Sequence, residues 1–177
     1  MVNIELKPWE YEWASHVGIR RFIENWEKSD AKHYSDRQRM EDDRTAQVAA
    51  CVAEFAVAIH TNRTWSGTVW SKEQHNRYKH LPDVGTNIEV RRIRTKKMAT
   101  LRKHQVGKGL ILFVAEPVAP EFKVVTVHGY IDYDYGWENG KPTDYDPENT
   151  REVPLSALSH DSCCKATRQT AELQEST

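Results

Sequence analysis

Residues Val48-Ala49-Ala50-Cys51-Val52-Ala53-Glu54-Phe55-Ala56-Val57-Ala58-Ile59 form an apolar or small-residue run broken by one ionisable carboxylate. They read as the second half of a helix expected over about 36–60, opened by the capping box Ser35-Asp36-Arg37-Gln38. A helix that is apolar almost all round has to be buried, so the rest of the chain must wrap a core around it. A carboxylate inside that core is costly unless it is paired, protonated or bound to metal. Glu54 can also emerge at the helix edge, because Gln47, Ala50 and Ala58 lie on its side.

A second helix is expected over 9–28, where Trp9, Trp13, Val17, Phe22 and Trp26 fall near helical spacing beside Arg20 and Arg21. Packing against the body suits these indoles better than stacking on bases. Trp65 to Trp70 reads as a strand, and Gly109 to Ala115 as a strand covered on both faces, broken by Pro117 and Pro120. Phe122 to Tyr130 alternates as a further strand, and Ile131 to Trp137 extends it. From Asp132 to Glu152 the charge balance turns acidic, with Asp144 to Asn149 read as a polar loop, after which Glu152 to Leu158 docks as the last ordered segment. The sum is an α+β fold with a mixed central sheet flanked by helices. A single domain spans 1–159, with helix 9–28 packed on a core of 36–137 and a flexible tail over 160–177.

The chemistry centres on Leu81-Pro82-Asp83-Val84-Gly85-Thr86-Asn87-Ile88-Glu89-Val90-Arg91. In an extended chain, residues two apart share a face. Glu89 and Arg91 therefore point one way, while Ile88 and Val90 point the other and can be buried. Gly85 permits a turn that folds Asp83 back beside Glu89. Two carboxylates at one place suit a hard divalent cation, and a neighbouring guanidinium offsets phosphate charge. The competing explanation is ordinary turn chemistry followed by a solvated ion pair.

From Arg91 to Lys108 the chain carries Arg91, Arg92, Arg94, Lys96, Lys97, Arg102, Lys103 and Lys108 with no acid. Thr95-Lys96-Lys97 reads as a hairpin turn, with Met98 to Lys103 as the return strand. Such a cluster suits a phosphate backbone; it also suits a solvated, Lys-protected sheet edge. His75 and His80 have no matching acid or Cys and read as exposed loop residues. Asp144 to Asn149 lacks the spacing of a calcium loop.

The net charge is −1 over 177 residues, so a case for nucleic acid rests on local patches and not on a global field. Three cysteines, two of them adjacent at Cys163 and Cys164, give no disulfide framework, and a reducing cytoplasm is expected. No apolar run approaches a membrane span and no secretory leader is evident, so no membrane partner is expected.

Over about 46–137 the arrangement resembles the PD-(D/E)XK nuclease superfamily, and within it small phage-type nuclease-like proteins. Pro82-Asp83 matches the first motif, Glu89-Val90-Arg91 stands where the family has (D/E)-X-K, and Glu54 falls where the family carries a helix glutamate. The resemblance implies a restriction-endonuclease-like core and a metal-dependent deoxyribonuclease. Glu54, Asp83 and Glu89 would hold Mg²⁺ or Mn²⁺. Asp83, Glu89 and Arg91 would be catalytic, acting through a metal-acidified water. Arg91 replaces the family lysine and cannot give up its proton. Its implied role is a phosphate clamp and transition-state stabiliser, with activation left to the metal or assisted by Lys103 or His104. Arg92, Arg94, Lys96, Lys97, Arg102 and Lys103 would grip DNA, with RNA and pairing of two copies left open. The alternative is an inactive nuclease-fold module that binds nucleic acid or a host protein. Gln105 is a further candidate that loop polarity explains equally well.

Overall fold

The computed structural model describes residues 1–24, 43–71, 74, 78, 80–94 and 97–160. The elements are strand β1 (Val2–Glu5), helix α1 (Pro8–Glu24), helix α2 (Asp43–Thr61), β2 (Ile88–Arg92), β3 (Met98–Arg102), β4 (Ile111–Pro117), β5 (Val124–Asp132), the short helix α3 (Tyr133–Asn139), β6 (Lys141–Pro142) and β7 (Thr150–Pro154). The fold is α+β, as the sequence leads one to expect. The capping box at 35–38, Trp26, His75, Lys96, Cys163, Cys164 and the tail from 161 onward lie outside the described residues.

The main sheet is mixed, in the order β1-β5-β4-β2. β1 and β4 run antiparallel to β5, and β2 runs parallel to β4 at the sheet's outer edge. The central strand β4 alternates between two cores, as a strand covered on both faces must. Phe113 and Ala115 pack with α1 and α2, among Val17, Val52, Phe55 and Ala56. Leu112 and Val114 pack on the opposite face with Ala99, Leu101, Tyr133 and Val153. That second face is covered by the three-stranded antiparallel sheet β3-β7-β6 and by α3.

Among the described residues the two long helices therefore flank the main sheet on one face, and the second sheet with the short α3 covers the other. The expected hairpin between β2 and β3 does not form: β2 pairs with β4 and β3 pairs with β7. The Ile93 N–H bonds the Ala115 carbonyl, which keeps the chain on β4, and Ala99 and Leu101 are buried in the second core. Trp65 to Trp70 makes no strand beyond a bridge from Trp65 to Val84, since Gly67 turns the chain at φ 52°. The strand expected to extend from Ile131 to Trp137 ends at Asp132, whose side chain accepts the Tyr135 N–H at 2.9 Å and caps α3. β1 has no counterpart among the sequence expectations, its four residues being too few to show a period.

Helix α1 crosses α2 closely. A Cβ added at Gly18 would meet the Val48 Cα at 2.5 Å, so only glycine admits this approach. That contact sets the position of Arg21, one turn further along α1. Trp9 and Trp13 rest on Phe55 with ring centroids 6.4 and 5.7 Å away. Each remains more than half exposed, so they cap the core and do not fill it.

Candidate acidic site at the edge of β2

The turn before β2 forms as Gly85 allows, with φ 58°, and Val84 and Ile88 exchange backbone hydrogen bonds of 3.1 Å. It brings Asp83 to the outer edge of β2, where Asp83 Oδ2 accepts the Val90 N–H at 2.8 Å. Ile88 and Val90 face the helices and are buried there. Glu89 and Arg91 point to the opposite face, and Arg91 donates to Glu89. The two-residue periodicity of the strand produces this division directly.

Glu54 reaches the same edge from the helix side. It is buried, and its carboxylate holds three N–H donors. Arg21 donates to both oxygens at 2.6 and 3.0 Å, and Trp65 Nε1 donates at 2.9 Å. Arg21 Nε also donates to the Thr68 carbonyl at 2.9 Å, and its guanidinium lies 5.8 Å from the Trp70 ring centroid. A buried carboxylate needs such compensation, and the two-pronged pair supplies it with fixed geometry. Burial is the largest single influence on the Arg21 guanidinium and favours loss of its proton, but the charge and hydrogen bond of Glu54, with Cys51 and Asp83, together outweigh it and hold the group protonated more firmly than usual.

Arg91 is turned inward. Its Nε donates to the Thr100 carbonyl at 3.2 Å, and one terminal nitrogen donates to Gln105 Oε1 at 2.7 Å. Gln105 is buried and also accepts the Tyr133 hydroxyl at 2.7 Å, while that hydroxyl accepts the Arg102 N–H at 2.7 Å. Glu89, Arg91, Gln105 and Tyr133 thus form one continuous polar chain inside the second core.

Asp83 lies between the two ion pairs. Desolvation pushes its carboxyl well above the usual range, and the charges of Glu54 and Glu89 push it further; the Val90 N–H and Arg91 oppose them. Two acids approached from opposite faces of an edge strand therefore act on a third at the edge itself. Hard oxygen donors of this kind suit Mg²⁺ or Mn²⁺ in chemistry. In disposition, each carboxylate already holds a protein N–H group, and no three His, Cys, Asp or Glu among the described residues stand as a ready metal cage.

The basic residues divide. Lys97 donates to both oxygens of Glu116, at 3.0 and 2.8 Å, and Glu116 also meets His128 Nε2 at 2.8 Å. Arg92 is the last residue of β2, and Arg94 follows it and is exposed. Arg102 and Lys103 are exposed at the end of β3, beside His104 and next to the buried Gln105. Sequence reasoning missed Arg21, Trp65 and Tyr133 as members of the site. The need of a buried Glu54 for compensation was legible, but not that Arg21, 33 residues away, would supply it.

No helix among the described residues is long and apolar enough to cross a membrane. Neither a family model, nor a curated protein, nor a solved structure matches the chain.

Proposed function

We propose that the chain is a metal-dependent hydrolase of nucleic-acid phosphodiester bonds, built on a restriction-endonuclease-like core. The observation that carries this reading is Asp83 at the edge of β2, under the charge of both Glu54 and Glu89. A focus of negative charge at a strand edge is relieved by a divalent cation. Asp83 and Glu89 would hold the ion, and Glu54 would contribute by giving up one of its N–H contacts or through a water. Bound there, Mg²⁺ or Mn²⁺ would supply an acidified water and offset charge on the phosphate oxygens. Arg91 keeps Glu89 aligned through its bond to it, and Gln105 and Tyr133 keep Arg91 aligned in turn. In this reading Arg91 reaches a phosphate only by releasing one of these inward contacts.

The test is incubation of purified protein with plasmid and linear DNA, with and without Mg²⁺ or Mn²⁺, alongside Glu89→Ala. Cleavage that needs the ion and disappears in the variant supports the assignment. Cleavage that survives in Glu89→Ala removes Glu89 from it.

A second reading is favoured by a specific observation: Glu54, Asp83 and Glu89 all hold protein N–H partners. A nuclease-fold module that binds nucleic acid or a host protein, without hydrolysis, needs no more than that. Binding to DNA with no cleavage in either metal selects it. A cytoplasmic setting and a paired assembly belong to both readings as expectations.

A further inference from the structure

The cations that follow β2 in sequence do not form one surface. Lys97, beside the loop between β2 and β3, is compensated by both oxygens of Glu116. The turn from Arg102 to Gly109 is different. Arg102, Lys103, His104 and Lys108 are exposed, and among the described residues none of them has a carboxylate partner. Lys108 Nζ instead lies 3.1 Å from His80 Nδ1. Asp134 is the acid met on this turn, and its carboxylate is engaged by the Gly107 N–H at 2.8 Å. The His104 imidazole is pushed below its ordinary range by desolvation, then by Lys108, Arg102 and Arg91, with Glu89 opposing. Those cations therefore act on one place.

The backbone of the turn is open as well as charged. Gly107 and Gly109 have φ of 77° and 63°, and a Cβ at either would meet nothing within 4 Å. At the same time the turn is rigidly joined to the acidic site. Gln105 sits in its middle, buried, and bonds both Arg91 and Tyr133. One face of the turn is thus locked to the acids while the other offers donors to solvent.

We infer that the turn from Arg102 to Gly109 is the seat for the phosphodiester backbone of a nucleic acid, and that Lys97 is not part of it. The ligand class is a polyanion whose charge lies on tetrahedral oxygens: the exposed Lys108, Arg102 and Lys103 supply both charge and N–H donors. The inference rests on the hydrolase reading for its choice of nucleic acid among polyanions, but its test does not need hydrolysis.

The experiment measures anisotropy of a fluorescein-labelled thymidine oligonucleotide in EDTA, where no cleavage can occur. The proteins are wild type, Lys97→Ala, Lys108→Glu and the double variant Arg102→Glu/Lys108→Glu, each checked for folding by circular dichroism. We expect the double variant to bind at least about tenfold more weakly, with Lys97→Ala close to wild type, and the salt slope to fall by about one per lost phosphate contact. Equal losses in Lys97→Ala and Lys108→Glu overturn the inference, as does wild-type protein that does not bind. Binding to phosphatidylserine vesicles without binding to the oligonucleotide also overturns it, in favour of a lipid surface. Metal-dependent cleavage of plasmid by wild type is scored separately, so loss of this seat and loss of the hydrolase reading give different patterns.

Discussion

Replacing Arg21 with methionine removes the cation from a buried carboxylate while keeping most of the side-chain volume. In the native protein Arg21 makes two bonds to Glu54 and one to the Thr68 carbonyl, with side-chain exposures of 12% for Arg21 and 8% for Glu54. After the change, Trp65 Nε1 still donates to Glu54 at 2.9 Å. Removing one partner of a buried ion pair costs about 3–5 kcal/mol, because the other charge is left uncompensated. At about 2–4 °C per kcal/mol for a chain of this size, the melting temperature should fall by about 6–20 °C. Urea denaturation followed by circular dichroism measures the change directly. Arg21→Met/Glu54→Leu, which removes both charges, should recover much of the loss. A loss below about 1 kcal/mol in Arg21→Met would place the pair among weak surface bridges and refute the reasoning.

Asp83→Asn keeps an oxygen for the Val90 N–H and removes the ionisable group. The Asp83 carboxyl holds its proton well above the range of an unfolded aspartate, so wild type loses stability as pH rises from about 4 through the folded value. In EDTA, the stability of Asp83→Asn relative to wild type should therefore increase over that interval, as read from urea curves at stepped pH; a constant difference would refute the raised carboxyl. Tyr133→Phe leaves the Arg102 N–H and Gln105 without the hydroxyl and should cost about 1–3 kcal/mol in chemical denaturation; a neutral result would mean water replaces it. Gly18→Ala drives a methyl into the Val48 backbone and should cost about 1–3 kcal/mol by separating α1 from α2, with altered tryptophan fluorescence as Arg21 leaves Glu54. Unchanged melting and emission would show that the helices shift at no cost. Arg91→Lys, which cannot reach Glu89, Gln105 and Thr100 together, should be destabilised on thermal melting; full stability would show that charge alone suffices.

The local chemistry of the site was written in short sequence periods. Glu89 and Arg91 share a face because strand side chains alternate, and Asp83 returns to β2 because Gly85 takes a positive φ. The buried helix was equally plain in the apolar run around Glu54. What the sequence hid was pairing between distant segments. β2 and β3 are separated by a turn-like stretch and look like a hairpin, yet each finds its partner elsewhere, in β4 and β7. Short-range pattern fixes a strand's faces but says nothing of its neighbours. Arg21 was hidden for the same reason: it lies 33 residues from Glu54, and only the Gly18 crossing brings them together. The helix at Tyr133 was masked by aromatic residues of high strand preference, with Asp132 as the cap that decides it.

On the proposed reading, Asp83 and the acids on either side of it attract a divalent cation. Calorimetric titration of Mn²⁺ into wild type, Asp83→Asn and Glu89→Gln at neutral pH measures that attraction without any substrate. Saturable binding to wild type that weakens at least about tenfold in each variant is the predicted result, a loss of about 1.4 kcal/mol or more. Absence of binding to wild type, or equal binding to all three proteins, would contradict it.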